Sequence, residues 1–409
     1  MHESQSRADA DTVWRRALAL YSTSDLAGAE ALAQTLVQEV PNHVEALNML
    51  GVIALRTGRI DRSVALLQDA VMVDPTVALT HFHLGHALFR GRLYEEAANS
   101  FETAIELDPH HANARRALTK VFLYRVFTNA FVRSHGRTPN IASPETFNDR
   151  ILHRIIHDRD PRLNIICDKI AVRDFIANRV DASFLTPVIG SWEQPEDIPW
   201  AELPDNFVLK SSHGSGQCVL VRDKANFDLE ALVETSRAWL ALDYGKKKLE
   251  WAYVGLPRRL IIEPLLEAPD GGDLLEPQVF TVDGRAALIF IVTGAKAPGE
   301  RRGAWFTVEG RRLDVQTITV RNADVGLSEA ERLTIVAAAE QVAKEFSSMR
   351  VDFYLTRDGL RIGELTPYNQ GGRAVWVPPE RDAQLGRLWR GDFDLSFLPD
   401  FVAQTSEFN

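Results

Sequence analysis

Asp352 and Glu364 are the residues whose types and spacing point most directly to chemistry in this 409-residue chain. They lie in Arg350–Thr366, which reads RVDFYLTRDGLRIGELT. The alternation predicts a β-hairpin with a three-residue loop, Arg357-Asp358-Gly359, a type I turn closed by a left-handed glycine. Such a loop sets Asp352 opposite Glu364 and Arg350 opposite Thr366 on one face. Met349, Val351, Phe353, Leu355 and Leu365 form an apolar face behind them. Like charges directly opposite each other destabilise a sheet, so the pattern predicts a cation between them. Two hard carboxylates with room for water and phosphate suit Mg²⁺.

A second candidate is the run Lys210-Ser211-Ser212-His213-Gly214-Ser215-Gly216, between the β runs Asn206–Lys210 and Cys218–Val221. Its side chains are too small to pack, so its backbone N–H groups are free to fold over phosphates, with Lys210 as a point charge. No Gly-Lys-Ser/Thr follows, so it is not a Walker loop. Alone it reads equally as a plain hairpin turn; beside a carboxylate pair it becomes a nucleotide-binding expectation. His213 is then either a phosphate or substrate contact or simply an exposed loop residue. Asp168–Arg173 opens a helix on which Lys169 and Arg173, four apart, share a face. Lys169 is a second phosphate contact or half of a solvated pair. Arg373 follows Gly371-Gly372 just beyond the hairpin, where it could bind an anionic substrate such as an acidic sugar. Of the histidines at 81, 83 and 86 only His83 and His86 share a face and no carboxylate lies beside them, and His153 and His157 stand four apart but HRIIH lacks the Glu of a zinc-hydrolase helix, so neither group reads as a metal site.

The elements that must position these residues are short strands between long helices. Leu260–Glu263 is a strand. Gln278–Val282 and Ala287–Val292 form an antiparallel pair turned at Asp283-Gly284. Ser328 and Glu331 make a capping box opening a helix to about Phe346. Ser143-Pro144-Glu145 gives another helix start. The pattern predicts an α+β domain over 126–409, after a polar stretch near 133–143.

Residues 1–125 are different. Pro41, Pro75 and Pro109 fall at a strict 34-residue spacing, and Asp74-Pro75 repeats as Asp108-Pro109. Leu50-Gly51 repeats as Leu84-Gly85, and Ala70 as Ala104. Small residues stand where two helices must approach, and Leu84, Tyr94 and Phe101 fill the space between. This resembles the tetratricopeptide repeat, with a degenerate first unit in which Ala33 stands at the Phe101 position, and a closing helix over Ala112–Tyr124. The fold class is therefore an all-α repeat array followed by an α+β domain. Stacked helix pairs offer a concave surface for a protein segment, or else brace the second domain.

Taken together, Lys169, Lys210 with its Gly-Ser loop, IIEPLL at 261–266, Arg350-Val351-Asp352 and Glu364–Pro367 resemble the ATP-grasp superfamily. The blocks Asp168–Arg173, Phe207–Gly216, Glu250–Tyr253, Pro257–Leu266, Met349–Tyr354 and Gly363–Gly372 are similar to its teichuronopeptide biosynthesis TupA-like branch, over about residues 140–390. The resemblance implies an ATP site with Mg²⁺. Lys169 and Lys210 would contact phosphates under a lid formed by residues 211–216. Glu263 would take the adenine amino group, and the backbone of Pro264, Leu265 and Leu266 the adenine edge. Asp352 and Glu364 would hold Mg²⁺, with Thr366 as a weaker third contact where many relatives have Asn. Arg350 would neutralise the transferred phosphoryl group. Gln278 falls where the branch tends to have a cation near the ribose or phosphates.

The implied activity is an ATP-dependent carboxylate–amine ligase acting on a cell-surface polysaccharide or its precursor. A non-catalytic nucleotide-sensing adaptor, and a kinase or other sugar-modifying transferase, stand as alternatives. A net charge of −10 argues against a general nucleic-acid or membrane-surface role. No apolar run reaches membrane-helix length. The cysteines Cys167 and Cys218 form no motif and suit a reducing compartment, so a cytoplasmic location is expected.

Overall fold

The computed structural model describes residues 2–294 and 301–400. The chain divides into two compact units, Met1–Ala130 and Phe131–Asn409.

The first unit contains α1 (His2–Ser22), α2 (Leu26–Glu39), α3 (Val44–Arg56), α4 (Ile60–Val73), α5 (Ala78–Arg90), α6 (Tyr94–Leu107) and the start of α7 (Ala112–His135). The 34-residue period is visible in the backbone itself. Ser24, Gly58 and Arg92 all take left-handed conformations, with φ of 64°, 80° and 64°, between the two helices of each pair. Close helix approach explains the small residues. A Cβ on Gly85 would lie 2.7 Å from the Phe101 ring, and one on Gly51 would lie 2.5 Å from Leu67. In the first pair the bulky residue is Ala33, and Ala17 replaces the glycine; both are fully buried. The last helix runs past the expected Tyr124 because Val121, Tyr124, Phe127 and Phe131 continue a buried stripe at helical spacing.

The second unit holds two antiparallel-rich sheets. The smaller, in the order β1-β4-β2-β3, comprises β1 (Gly190–Trp192), β2 (Phe207–Ser211), β3 (Cys218–Val221) and β4 (Leu260–Glu263). Phe207, Leu209, Leu260 and Ile262 face a core closed by Leu232 of the helix Leu229–Ala241. Strand alternation then puts Lys210 and Glu263 on the opposite face.

The larger sheet runs β10-β7-β6-β5-β11-β12, with β8 beside β7. Its strands are β5 (Glu276–Val282), β6 (Arg285–Thr293), β7 (Arg302–Thr307), β8 (Arg312–Leu313), β10 (Arg321–Asn322), β11 (Ser348–Thr356) and β12 (Gly359–Thr366); β9 (Gln316–Thr317) pairs separately with β13 (Trp376–Val377). Asp283 and Gly284 both have positive φ, the turn the β5–β6 hairpin requires. The capping box of Ser328 and Glu331 opens the helix Glu329–Ala343. One expected helix start is displaced. Thr146, not Ser143, caps the helix Phe147–His157, because Thr146 and Asp149 close a reciprocal capping box.

Candidate active site

The carboxylate hairpin has the expected pairs, Arg350 with Thr366 and Asp352 with Glu364, but reaches them differently. Thr356 pairs with Gly359, so the loop is one residue shorter than expected. A bulge at Gly363 restores the register between Phe353–Ile362 and Asp352–Glu364. The bulge lets Ile362 join Leu365 on the buried face although the two are three residues apart. A Cβ on Gly363 would lie 2.5 Å from the Tyr354 ring, so the bulged position is kept bare. The ends of the hairpin are pinned by buried Arg154, whose Nη1 donates to the carbonyl oxygens of Ser348 and Pro367.

A cation does lie between the carboxylates, and it is Arg350. Its Nε and Nη2 donate to Asp352 Oδ1 and Oδ2, both at 2.6 Å, and Nη2 lies 3.5 Å from Glu364 Oε1. Like-charge repulsion on this sheet therefore does not by itself demand a metal. Burial pushes the Asp352 carboxyl up to about 6 despite Arg350 beside it. Burial works against the Arg350 charge, yet Asp352 more than offsets it and holds the guanidinium firmly protonated. Thr366 is engaged too: its hydroxyl donates to Glu364 Oε1 at 2.9 Å and accepts from Arg350 at 3.2 Å. It thereby orients Glu364 beside Arg350. No group of three or more His, Cys, Asp or Glu side chains fit to hold a metal occurs among the described residues.

The smaller sheet brings up the lysines. Lys210 Nζ donates to Glu263 across β2 and β4. Burial opposes the Lys210 charge, but Glu263 outweighs it and raises the ammonium above its ordinary range. Glu263 is thus tied to Lys210. Lys169 lies in the turn before the helix Ala171–Ala177, so it shares no helical face with Arg173, which instead donates to the Thr186 carbonyl at 2.8 Å. Asp168, buried and held by Arg259, accepts from Ile170 N–H at 2.9 Å just before that helix and so fixes the turn that carries the lysine. The Lys169 ammonium donates to Gly214 O, tying it to the 211–216 loop. Burial, with repulsion from Lys210, lowers Lys169 against the pull of Glu364 and Glu263. Glu364 acts on both lysines, so the two sheets converge on one charged cluster.

Three loop assignments need correction. Ser211 N–H donates to Gln217 O at 3.1 Å and Ser212 N–H to Arg259 O at 2.8 Å, so these two backbone donors are not free to fold over a phosphate; their hydroxyls are engaged too, with Gln217 Oε1 and Pro257 O. His213 is not the exposed loop residue of the simpler expectation. Its Nε2 bonds to Trp239 O at 3.0 Å and the ring is buried, bracing the loop against the helix Leu229–Ala241. The solvent-facing residues of this loop are Ser215 and Gly216, the latter with φ of 74°. Pro264, Leu265 and Leu266 follow β4 half-buried. Gln278 lies buried on β5 directly opposite Asp352. Arg373 is exposed beside Gly371.

Sequence reasoning missed Asn369. It is buried, and its Oδ1 accepts from Arg350 Nη1 at 2.6 Å. It also missed Tyr244 and Tyr253, whose rings stand 4.9 Å apart and whose hydroxyls feel Glu364. A buried Asn closing a turn before two glycines was the available signal.

The sequence matches the TupA-like ATPgrasp family over residues 149–390. The chain belongs to that family. Tetratricopeptide repeats match residues 15–76 and 78–111, so a helical repeat array precedes the TupA-like ATP-grasp domain. Mouse Superkiller complex protein 3 is 34% identical over 95 residues, 23% of this chain and only 6% of that protein's length. Among solved structures, the Arabidopsis OM64 TPR domain aligns with TM-score 0.28 and 16% identity, covering 28% of this chain and 96% of the other. A mutant Thermobaculum terrenum O-GlcNAc transferase aligns with TM-score 0.29 and 22% identity, covering 46% and 30%. No helix among the described residues is long and apolar enough to cross a membrane.

Proposed function

We propose that the second unit is an ATP-dependent carboxylate–amine ligase acting in cell-surface polysaccharide biosynthesis. The observation that carries this reading is the grouping of Lys210 and Glu263 from the smaller sheet, and Lys169 from the turn tied to its loop, with Arg350, Asp352 and Glu364 of the larger sheet. Family membership supports ATP as the phosphoryl donor. Lys169 and Lys210 bind its phosphates beneath Ser215-Gly216. Glu263 and the Pro264–Leu266 backbone bind the adenine. Asp352 and Glu364 are hard oxygen donors on adjacent strands, a set that fits Mg²⁺ with water and phosphate completing its shell. That ion, when bound, spreads the charge of the transferring phosphoryl group. Arg350 neutralises the same charge from the protein side. The repeats bind a protein segment.

Incubation with ATP, Mg²⁺ and candidate acid–amine pairs should yield one ADP and one phosphate per amide. Asp352→Asn and Lys210→Ala should abolish that turnover; if both leave it intact, the site assignment is wrong. A stable phosphorylated sugar as product would make the protein a kinase instead. One observation favours a second reading as nucleotide-sensing adaptor: Lys210 with Glu263, and Arg350 with Asp352, already neutralise one another. Tight ATP binding without turnover, with a partner that is lost on deleting residues 1–125, would select it.

A further inference from the structure

Glu250 and Arg373 are opposite charges that the nucleotide and metal assignments leave unused. Glu250 precedes the short helix Trp251–Tyr253, and Arg373 follows the turn Asn369–Gly372. Both reach one point: a Cβ on Gly371 would lie 3.5 Å from Glu250 Oε1 and 3.5 Å from Arg373 Nη2. Gly371 keeps that point bare. The turn holds Gln370, Gly371 and Gly372 at φ of 47°, 59° and 67°. Glycine tolerates this conformation freely, whereas Gln370 does so at a cost, the kind of strain that gathers at functional sites. Among the described residues, neither charged side chain makes a hydrogen bond or ion pair.

The point adjoins the cluster already described. The turn starts at Asn369, bonded to Arg350. Tyr244 and Tyr253 feel both Glu250 and Glu364. We propose that Glu250 and Arg373 form the subsite for the amine-bearing substrate, Glu250 taking a proton from its ammonium group and Arg373 pairing with an anionic group on the same molecule. This rests on the ligase reading above.

The step balances simply. The ammonium loses one proton to the Glu250 carboxylate, which later releases it to solvent. The freed nitrogen lone pair attacks the acyl phosphate carbonyl carbon and forms the C–N bond. The C–O bond to phosphate breaks, phosphate leaves with the electron pair, and the extra nitrogen proton passes to it. The groups facing Glu250 are Lys248, Arg373, Tyr244, Tyr253 and Cys167. Burial dominates and lifts the carboxyl to about 7, with Lys248 and Arg373 pulling it down. A carboxylate so placed accepts protons near neutral pH.

The test uses the full chain with ATP, Mg²⁺ and a panel of uronic and dicarboxylic acids. Glycine and β-alanine serve as zwitterionic amines, ethylamine as an amine without an anion, and hydroxylamine as an amine already neutral at pH 7. Wild type should favour glycine or β-alanine over ethylamine by at least about tenfold, and Arg373→Met should erase that preference. Glu250→Gln should lose at least about 100-fold in amide formation at pH 7, recover as pH approaches 9, and be rescued by hydroxylamine. The assignment is overturned if Glu250→Gln couples glycine at the wild-type rate, or if hydroxylamine fails to rescue it. Absence of any ADP or hydroxamate from wild type overturns the ligase reading itself, before the variants are compared.

Discussion

Asp352→Asn should cut turnover sharply without unfolding the protein, and at neutral pH it should make the fold more stable. Burial raises the Asp352 carboxyl from 3.8 to about 6 even with Arg350 in bidentate contact. Desolvation therefore exceeds the attraction, as it often does for buried pairs. The folded pKa lies above the unfolded one, so the group's favourable contribution is complete below the unfolded value and is lost as pH rises through about 6. A two-unit difference corresponds to about 3 kcal/mol by pH 7. Asparagine keeps the shape and stays neutral but turns an N–H₂ towards Arg350, at a cost of about 1–2 kcal/mol. The variant should thus be about 1–2 kcal/mol more stable than wild type at pH 7 and about 1 kcal/mol less stable at pH 4. Urea unfolding followed by tryptophan fluorescence tests this, since seven of the eight tryptophans lie in the second unit. ATP turnover should fall about 10²–10³-fold in the same sample. A loss of more than about 3 kcal/mol at pH 7, with the pH slope unchanged, would show instead that pairing outweighs desolvation at Asp352.

Glu263→Gln leaves the buried Lys210 ammonium without its partner and should cost about 2–4 kcal/mol; adding Lys210→Met should recover about 1–3 kcal/mol of coupling in a double-mutant cycle. Gly363→Ala forces a Cβ against the Tyr354 ring and should cost about 1–3 kcal/mol in urea unfolding, with a loss of Mg-ATP affinity measurable by calorimetry as Glu364 is displaced. His83 donates from Nδ1 to Asn48 Oδ1 at 2.6 Å, and burial, then repulsion from His86 and His111, lowers it to about 4. A folded pKa below the unfolded one means stability is full above about 6.5 and declines as pH falls towards 4. The first unit should lose about 2 kcal/mol over that window after allowing for partial exposure, and His83→Gln should flatten the decline seen by far-UV circular dichroism.

The repeat array was legible because its signal is periodic and each signal residue has one steric job. Gly85 must be small because Phe101 lies against it, and both types repeat at a fixed spacing. The strands Cys218–Val221 and Leu260–Glu263, and the pairing of Asp352 with Glu364, could be read from alternation. The Gly363 bulge could not be read by simple alternation, because two errors cancelled. A loop taken one residue too long and a missed bulge give the same partner for Asp352. Ile362 and Leu365, both apolar with a glycine between them, held the clue, since an odd spacing on one face needs an extra residue. The serines of the loop differ from expectation for another reason: their backbone donors are taken up by neighbouring segments. Small side chains leave a loop's backbone path open in the sequence, and only the fold puts Gln217 O and Arg259 O in reach of the Ser211 and Ser212 N–H groups. Asn369 was hidden because three left-handed residues fold it back beside Arg350.

The carboxylate pair that first suggested a metal gains a different meaning inside the cluster. Lys169, Lys210 and Arg350 supply three positive charges, and Glu263, Asp352 and Glu364 supply three negative ones. The site is electrically balanced by its own residues, which is how a sheet can keep two acids opposite each other without unfolding. The balance is uneven in strength. Lys210 and Arg350 are held charged by their partners, whereas burial pushes Asp352 and Lys169 towards neutrality. A polyanion with its cation therefore meets a site in which two charges are secure and two are costly. Phosphate beside Lys169, or a cation beside Asp352, relieves those costs, whereas engaging Lys210 requires it to exchange Glu263 for the ligand. Affinity in such a site should come from the two costly charges, and discrimination from the exchange.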